Sequence, residues 1–269
     1  MTRAALVALF LLALIAAPAR AESEPELPAL LFIVTGQSNA GPKGTGGAAV
    51  PGAWLYAPQY AGPGWQPMAP AGRGQVYGVA LPFARAVTEA TGRAVLMVNV
   101  YSGGTSIIAW QPDAPGPEWR RAMNRVGNGH KAAMYPRVRA AVAEATAAWG
   151  GPVELAGVLY VQVERDSRQK RPVYYENALR QLIAAWRADY GDALPVMFID
   201  AHTHMSSGGP MVAEAVRAVA SDTPNTALIL VGDLEKNPKE PAHFSSAGLN
   251  ELGRRFAAAW LALTALGES

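Results

Sequence analysis

The stretch Leu30-Leu31-Phe32-Ile33-Val34-Thr35-Gly36-Gln37-Ser38-Asn39 decides the fold, because it joins an apolar run to a small polar cluster. An apolar run of this length predicts a buried β-strand. In open α/β sheets, ligands bind at the carboxyl ends of the strands, which is where Ser38 would lie. A serine presented on a tight turn at a strand end is a candidate nucleophile, although serine is also a common turn former. A reactive Ser38 therefore requires a base and an oxyanion site elsewhere in the chain.

Further apolar runs alternate with helical patterns along the rest of the chain. The predicted strands are Ala94–Val100, Val153–Val161, Pro195–Ile199 and Thr226–Val231. The predicted helices are Val79–Ala90, Lys131–Trp149, Val173–Tyr190, Met211–Ala220 and Ala247–Ala265. The last begins after Ser245 and Ser246, both suitable N-caps, and the spacing of Leu249, Leu252, Phe256 and Trp260 predicts one buried apolar stripe on it. This alternation predicts an α/β domain with a central parallel sheet. The stretches 41–78 and 113–129 show neither a strand nor a helix pattern, so we expect long loops there. Long loops in a compact domain tend to be functional.

The N-terminal segment has the pattern of a secretory signal peptide. Arg3 precedes an unbroken apolar stretch, and Ala19-Arg20-Ala21 is a small-x-small cleavage site. The apolar stretch is too short to span a bilayer comfortably, and no later stretch is long and apolar enough to do so. We therefore expect a signal peptide at 1–21, a mobile leader at 22–28 and a single domain at 29–269, exported to the periplasm or outside the cell.

The composition narrows the class of partner. The chain carries 23 Lys and Arg against 21 Asp and Glu, and loss of Arg3 and Arg20 would leave the two classes equal. A nearly neutral protein gives no electrostatic support to a nucleic-acid partner. The chain contains no Cys, so its hydrophobic core must supply the stability that disulfides often give exported proteins.

His243 is the candidate base for Ser38. It follows the last predicted strand, so a parallel sheet would bring it to the same edge as Ser38. The pKa of histidine lies near neutrality, which suits a group that accepts a serine proton. Glu240 could accept the other ring N–H and fix the tautomer. The alternative is that His243 lies on a solvated loop near a helix cap and has no catalytic role.

Two further polar clusters directly follow predicted strands. Gly103 and Gly104 would let the backbone present N–H groups to an oxyanion, together with the amide of the nucleophile. Gln162 could donate its side-chain amide to the same oxyanion. Glu164 and Asp166 could orient the histidine or bind sugar hydroxyls.

For two other groups of residues, we favour a structural interpretation over a catalytic or metal-binding one. Arg165, between two acidic residues, is typical of a surface charge cluster. His202 and His204 lie at strand spacing, as a metal pair might, with Asp200 nearby. A zinc site needs three or four ligands and no further ligand is evident, so we expect no metal.

Taken in chain order, these clusters resemble the motifs of the carbohydrate-esterase branch of the SGNH hydrolases. This branch is the sialate O-acetylesterase-like (SASA) and acetyl-xylan-esterase family six group. The matching segments are Gly36-Gln37-Ser38-Asn39, then Gly103-Gly104-Thr105 with Trp110, then Gln162 with Glu164 and Asp166, and finally His243 followed by Gly248-Leu249-Asn250-Glu251-Leu252-Gly253-Arg254-Arg255. Together they extend over nearly the whole mature chain. Two positions depart from the family pattern, with Val163 in place of glycine and Glu240 in place of the usual aspartate.

The resemblance implies a three-layer α/β/α sandwich with a central parallel sheet, of the flavodoxin-like SGNH type, and no cofactor or metal. It implies Ser38 as nucleophile, His243 as base and Glu240 as acid, with Glu164 or Asp166 in reserve. The implied oxyanion donors are the Ser38 N–H, a Gly103 or Gly104 N–H and the Gln162 side chain. The expected substrate-binding residues are Gln37, Asn39 and Trp110.

The expected activity is removal of O-acetyl groups from a carbohydrate through an acyl-enzyme on Ser38. Aromatic residues between Trp54 and Trp65, with Trp110 and Trp119, could stack on sugar rings or simply pack the loops. One alternative keeps the chemistry but changes the substrate to a lipid, peptidoglycan or aryl ester, or transfers the acetyl group to another sugar. The other alternative is a non-catalytic carbohydrate-binding protein on the same fold.

Overall fold

The computed structural model describes residues 27–44, 47–68, 78–113, 133–169, 172–201 and 207–265. The predicted signal peptide, most of the predicted leader and the start of the helix predicted from Lys131 lie outside these ranges. So do Trp119, His202 and His204. Among the helices within these ranges, none combines the length and apolar character needed to cross a membrane.

Seven strands form the central sheet. They are β1 (Ala29–Gly36), β2 (Ala53–Tyr56), β3 (Trp65–Pro67), β4 (Val95–Tyr101), β5 (Val153–Val161), β6 (Val196–Ile199) and β7 (Thr226–Ile229). Their spatial order is β3-β2-β4-β1-β5-β6-β7, and every neighbouring pair is parallel except β2 with β3. This architecture confirms the predicted α/β class with a mostly parallel sheet.

Helices connect the strands and cover the sheet. They are α1 (Ala80–Thr91), α2 (Met134–Trp149), α3 (Glu164–Ser167), α4 (Tyr175–Tyr190), α5 (Gly209–Asp222) and α6 (Ser246–Ala265). The short helix α3 was not predicted from the sequence, because four residues carry no measurable period. Two short 3-10 helices occur at Ser38–Ala40 and Ile107–Trp110.

Two segments predicted to be loops contain strands. The stretch 41–78 includes β2 and β3, which are too short to show an alternating pattern and are recognised only by their pairing with neighbours. The segment before α6 forms a separate antiparallel hairpin of β8 (Lys236–Asn237) and β9 (Glu240–Phe244). His243 therefore lies on a strand rather than in a loop. The last predicted strand also ends two residues early, at Ile229.

Helix α6 buries the apolar stripe expected from its sequence, Leu249, Leu252, Phe256 and Trp260, and its Trp260 packs against Phe32 of the central strand β1. The Phe32 ring lies 5.1 Å from that of Trp260 and 4.7 Å from that of Phe83 on α1. Burial of such aromatic side chains is a large part of the stability of a core. On the opposite face, Tyr160 of β5 packs against Trp186 of α4 and Trp110. The result is three layers, α/β/α.

The glycine of the Leu252-Gly253 pair allows α6 to approach α1 closely. A Cβ atom on Gly253 would lie 2.4 Å from the Pro82 Cγ atom and 2.6 Å from the Val79 carbonyl oxygen. The start of α6 is fixed by Ser245, whose hydroxyl accepts the Gly248 N–H at 3.1 Å, as the sequence predicted for a capping serine. The family-like segment that follows His243 is therefore explained by helix packing.

The topology places a crevice at the carboxyl end of β1. The chain leaves β1 toward β4 on one side and later returns to β5 on the other, which makes this end of β1 a switch point of the sheet. The turns that follow β1, β4 and β5 therefore meet there. These turns carry three of the four segments that the sequence analysis singled out.

Candidate active site

A hydrogen bond and a close backbone contact hold the turn that carries Ser38 against β5. Strand β1 ends at Gly36, and Ser38 opens the following 3-10 helix. Gly36 has φ +131°, and a Cβ atom there would lie 2.2 Å from the Val161 carbonyl oxygen. The same carbonyl accepts the Gln37 N–H at 3.0 Å. Only glycine allows this contact, which explains the first position of the Gly-Gln-Ser-Asn motif.

Ser38, His243 and Glu240 form a continuous hydrogen-bonded chain. His243 Nε2 lies 2.9 Å from Ser38 Oγ, and His243 Nδ1 lies 2.6 Å from Glu240 Oε2. When Nδ1–H is donated to the carboxylate, the Nε2 lone pair is left to accept the serine hydroxyl. The hydrogen bond from His243, together with the charge of Lys43 at 3.7 Å, holds the pKa of the Glu240 carboxyl below its usual range.

Asn39 fixes the strand that carries His243. Its Nδ2 donates to the Ala242 carbonyl oxygen at 3.1 Å, and its Oδ1 accepts the Phe244 N–H at 3.2 Å. These two groups belong to the residues immediately before and after His243. Asn39 has no exposed surface, so it cannot contact a bound sugar as the sequence analysis expected. Its role in the structure is to join the Ser38 turn to β9.

Glu164 lies beneath the same turn, not beside His243. Its Oε2 accepts the Gln37 Nε2–H and, at 3.2 Å, the Val163 N–H, while its Oε1 accepts the Asn39 Nδ2–H. Burial raises the pKa of Glu164, and the hydrogen bonds from Asn39 and the Val163 N–H are among the interactions that oppose the rise. Gln37 is largely buried and its Nε2–H is directed at Glu164, but the residue also lines the pocket beside Ser38, so its role as a substrate contact stays a prediction. Glu240, not Glu164, is the acid beside the imidazole.

Asp166 and Gln162 bond to each other and to a neighbouring loop. Asp166 accepts hydrogen bonds from Ser106 Oγ at 2.5 Å, Ile107 N at 2.9 Å and Gln162 Nε2 at 3.1 Å. Gln162 Nε2 also donates to the Thr105 carbonyl oxygen at 2.6 Å. Burial raises the pKa of Asp166, and these donors oppose the rise. The side-chain amide of Gln162 is therefore directed into the protein and not toward an oxyanion near Ser38, contrary to the expectation.

The glycine turn after β4 lies directly against Ser38. A Cβ atom on Gly103 would lie 3.7 Å from the Ser38 Cβ atom. Gly104 has φ +70°, a conformation that strains any residue with a side chain. The Ser102 N–H donates to the Gly36 carbonyl oxygen at 3.0 Å and holds this turn to the end of β1. The backbone of Gly103 and Gly104 thus lies next to the serine, and its role as an oxyanion donor stays a prediction.

These groups line an open pocket of about 340 Å³. Besides Ser38, His243 and the two glycines, its wall includes Arg165 and Arg168. Neither guanidinium forms an ion pair with an acid in the part of the chain that the structure describes. The acidic neighbours of Arg165 predict a surface charge cluster for it, and Arg168 is not among the residues predicted for the site. Their spacing of three residues, which places both on one side of a helical turn, was the available signal.

The tryptophans proposed to stack on sugars are engaged elsewhere. Trp110 is 1% exposed, and its indole N–H donates to Thr105 Oγ1 at 3.0 Å. Trp54 and Trp65 each pack edge-on against Trp149, with ring centroids 5.8 Å apart in both pairs. For these residues, packing of the fold accounts for the aromatic content.

A metal centre has no support in the described ranges, where no group of three or more His, Cys, Asp or Glu is arranged to hold an ion. The pair His202 and His204 lies outside those ranges. The described residues at the pocket bring together a serine, an imidazole, a carboxylate and backbone amides.

Comparison with solved structures supports the fold. A protein from Arabidopsis thaliana is 20% identical with a TM-score of 0.69, and the match covers 88% of this chain and 99% of that one. A carbohydrate acetylesterase from Xanthomonas citri is 20% identical with a TM-score of 0.64, covering 86% of this chain and 55% of that one. The protein NanS is 17% identical with a TM-score of 0.65, covering 89% and 99%. At these identities the likeness shows the fold alone.

The sequence itself carries the family relationship. A search of curated protein sequences found no match. A family model described as "Carbohydrate esterase, sialic acid-specific acetylesterase" matches residues 28–262, which is most of the chain. That range includes the serine turn, the glycine turn, the buried acids and His243. The chain therefore belongs to the SASA family of carbohydrate esterases, as the resemblance of its motifs indicated.

Proposed function

We propose that this protein is a serine O-acetylesterase that removes acetyl groups from a carbohydrate through an acyl-enzyme on Ser38. The observation that carries the proposal is the line of contacts from Ser38 Oγ to His243 Nε2 at 2.9 Å and from His243 Nδ1 to Glu240 at 2.6 Å. This line opens on a pocket beside the glycine turn. A protein that only binds carbohydrate would have no need for a serine, an imidazole and a carboxylate in hydrogen-bonded order.

In the first half-reaction, Ser38 Oγ attacks the acetyl carbonyl carbon while its proton moves to His243 Nε2. Glu240 accepts the Nδ1–H and stabilises the imidazolium that forms. Collapse of the tetrahedral intermediate breaks the bond to the sugar oxygen. That oxygen takes the proton from Nε2 and leaves as the free hydroxyl, with the acetyl group esterified to Ser38.

In the second half-reaction, a water molecule gives a proton to His243 Nε2 and attacks the acetyl-Ser38 carbonyl. Collapse of this intermediate breaks the bond to Ser38 Oγ, which takes the proton back from Nε2, and releases acetic acid, which ionises to acetate by losing its proton to solvent. Both intermediates carry a negative oxygen, which backbone N–H groups of Ser38 and of Gly103 or Gly104 would stabilise. Such preorganised donors are each worth about 10²–10³ in rate.

The two arginines of the pocket favour a sugar that carries a carboxylate over a neutral, xylan-type sugar. Arg165 and Arg168 line the same pocket as Ser38 and have no acid partner among the described residues. Guanidinium groups bind carboxylates through paired, charge-assisted hydrogen bonds. An acetylated acidic sugar could place its carboxylate on these arginines and its ester on Ser38.

Export is part of the proposal. The expected signal peptide at 1–21 would direct the chain to the periplasm or outside the cell. Expression of the full chain, followed by N-terminal sequencing of the exported protein, should give a first residue at Glu22. A product that retains the apolar segment would contradict the assignment of a cleaved signal peptide.

The central test is acetate release by the domain and by its Ser38→Ala variant. The parent should hydrolyse p-nitrophenyl acetate and an O-acetylated sialic acid. Ser38→Ala should lose at least about 10³-fold in kcat with an unchanged thermal melting temperature, because the nucleophile is removed and nothing is unpacked. A variant that retains the parental rate would overturn the assignment of Ser38.

The substrate class is tested by comparing an acidic with a neutral substrate. The Arg165→Gln and Arg168→Gln double variant should lose about tenfold or more in kcat/KM on acetylated sialic acid, since charge-assisted hydrogen bonds are worth roughly 1.5–3 kcal/mol. Its kcat/KM on acetylated xylo-oligosaccharide and on p-nitrophenyl acetate should stay within about threefold of the parent. Equal losses on all three substrates would refute carboxylate recognition by these arginines.

A further inference from the structure

Glu164 is a buried carboxylate at the floor of the pocket that the mechanism above does not use. We propose that Glu164 is a positioning residue, which holds Ser38 and His243 in register through the side chains of Gln37 and Asn39. The inference rests on the proposed roles of Ser38 and His243. It assigns Glu164 a different task from Glu240, which contacts the imidazole directly.

Glu164 forms hydrogen bonds with the residues on both sides of Ser38. Glu164 Oε2 accepts the Gln37 Nε2–H and the Val163 N–H, and Oε1 accepts the Asn39 Nδ2–H. Gln37 and Asn39 are the residues immediately before and after Ser38. One buried group therefore fixes both flanks of the turn that presents the serine hydroxyl, while Gln37 Oε1 accepts the Arg165 N–H at 3.3 Å.

Asn39 connects Glu164 to the backbone around His243, the proposed base. Its side chain binds the Ala242 carbonyl oxygen at 3.1 Å and the Phe244 N–H at 3.2 Å, on either side of His243. Glu164, Asn39 and the backbone around His243 thus form one connected path. The Ser38 Oγ to His243 Nε2 distance of 2.9 Å depends on both ends of that path.

Lys236 adds a second link from the hairpin to Glu164. It lies on β8 and pairs with Phe244 of β9, and its Nζ is 3.5 Å from the centre of the Phe244 ring. Its positive charge opposes the rise that burial causes in the pKa of Glu164. The attraction between the two charges draws the hairpin that carries His243 toward the end of β5.

The donor set explains why this position is acidic. Three N–H groups point at the two oxygens of Glu164, and a carboxylate is acceptor-only. A glutamine would present one oxygen and one NH₂ group, so the NH₂ would face either Gln37 or Asn39 as donor against donor. Glu164→Gln is therefore nearly isosteric but breaks the hold on one side of Ser38.

The test measures kcat and KM separately for p-nitrophenyl acetate hydrolysis by Glu164→Gln. We expect kcat to fall about 10²-fold, the scale of a misplacement of about 1 Å in the reacting groups, with KM within twofold of the parent. The rate constant for inactivation of Ser38 by phenylmethylsulfonyl fluoride should fall in parallel. A loss confined to KM, or a kcat within threefold of the parent, would overturn the proposal.

A double-mutant cycle tests whether Glu164 acts through Asn39. If it does, Glu164→Gln combined with Asn39→Ala should lower kcat no further than the more damaging single variant. Multiplied losses would contradict the path through Asn39. Should Glu164→Gln fail to fold, Asn39→Ala alone, which leaves the carboxylate and its bond to Gln37, must show the same loss in kcat at constant KM.

Asp189→Asn is the matched control for a carboxylate with a purely structural role. Asp189 accepts the Tyr135 hydroxyl at 2.6 Å and lies 3.1 Å from Arg139 Nε, joining α4 to α2 away from the pocket. It should lower the melting temperature while kcat stays within twofold of the parent. The parent and Ser38→Ala, assayed together, report on the proposed function by themselves, so an active parent with unaffected Glu164→Gln would refute only the positioning role.

Discussion

Gly36→Ala perturbs a close backbone contact that positions the Ser38 turn against β5. The added Cβ would lie 2.2 Å from the Val161 carbonyl oxygen and 2.7 Å from its carbon, which are backbone atoms of the neighbouring strand and cannot rotate away. Gly36 also has φ +131°, a conformation that residues with a side chain rarely adopt. The variant must therefore separate β1 from β5 at the point where the serine turn begins.

The cost follows from three contributions. A non-glycine residue in so unusual a backbone conformation costs about 1–3 kcal/mol. Displacing the Val161 carbonyl removes its 3.0 Å hydrogen bond from the Gln37 N–H, worth about 1 kcal/mol. Separating two buried, well-packed strands adds about 1 kcal/mol or more. The total is about 4 kcal/mol, a large share of the 5–15 kcal/mol that holds a typical domain folded.

Gly92→Ala is the matched control, because it has the same chemistry without the collision. Gly92 ends α1 with φ +66°, and a Cβ atom there would meet nothing within 4 Å. The left-handed conformation alone costs about 1 kcal/mol. With a urea m-value of about 3 kcal/mol/M, Gly36→Ala should have a midpoint about 1 M lower than Gly92→Ala in equilibrium unfolding followed by tryptophan fluorescence.

Activity gives a second readout of the same substitution. The folded fraction of Gly36→Ala should have a lower kcat on p-nitrophenyl acetate, since its serine turn has moved, whereas Gly92→Ala should keep the parental kcat. If the two variants unfold at the same urea concentration, the close approach of β1 to β5 does not stabilise the protein, and our account of the Gly-Gln-Ser-Asn turn is wrong.

Three further predictions test other parts of the structure. Glu240→Gln should lower kcat about 100-fold, at the lower end of the roughly 10²–10⁴-fold range for general-base effects because this carboxylate is 56% exposed, and a rate equal to the parent's would exclude it as the orienting acid. Trp110→Phe should lower the free energy of unfolding by about 1–3 kcal/mol without changing KM, because the indole is buried and donates to Thr105. A raised KM for sugar substrates would instead show that Trp110 contacts the substrate. A hydrogen bond from Arg255 lowers the pKa of Asp233 from 3.8 to about 2, so this carboxylate stabilises the fold above about pH 4, and that stability is lost as the pH falls to 2. In urea titrations at pH 5 and pH 2, Asp233→Asn should therefore lose less stability on acidification than the parent.

The short elements and buried polar groups were beyond prediction for one common reason. Strand β2 is four residues long and becomes a strand only by pairing with β4. The position of Gln162 after a strand predicts an oxyanion donor, but its Nε2–H groups donate to Asp166 and to the Thr105 carbonyl oxygen. These outcomes depend on partners distant in sequence, which no local pattern contains.

The sequence by itself determined the strand that precedes Ser38, the buried stripe of α6, the alternation of strands and helices, and the residue types on which the proposed serine chemistry rests. Each of these is a local pattern of apolar spacing or of a polar cluster at a strand end, so it can be read without knowing the neighbours. Only the tertiary structure decided that Glu240 is the acid beside His243 and that Glu164 lies beneath the serine turn, with the arginines on the pocket wall. The physical reason is that hydrogen bonds and burial in this site join β1, β5 and the β8–β9 hairpin, which meet only when the sheet is assembled.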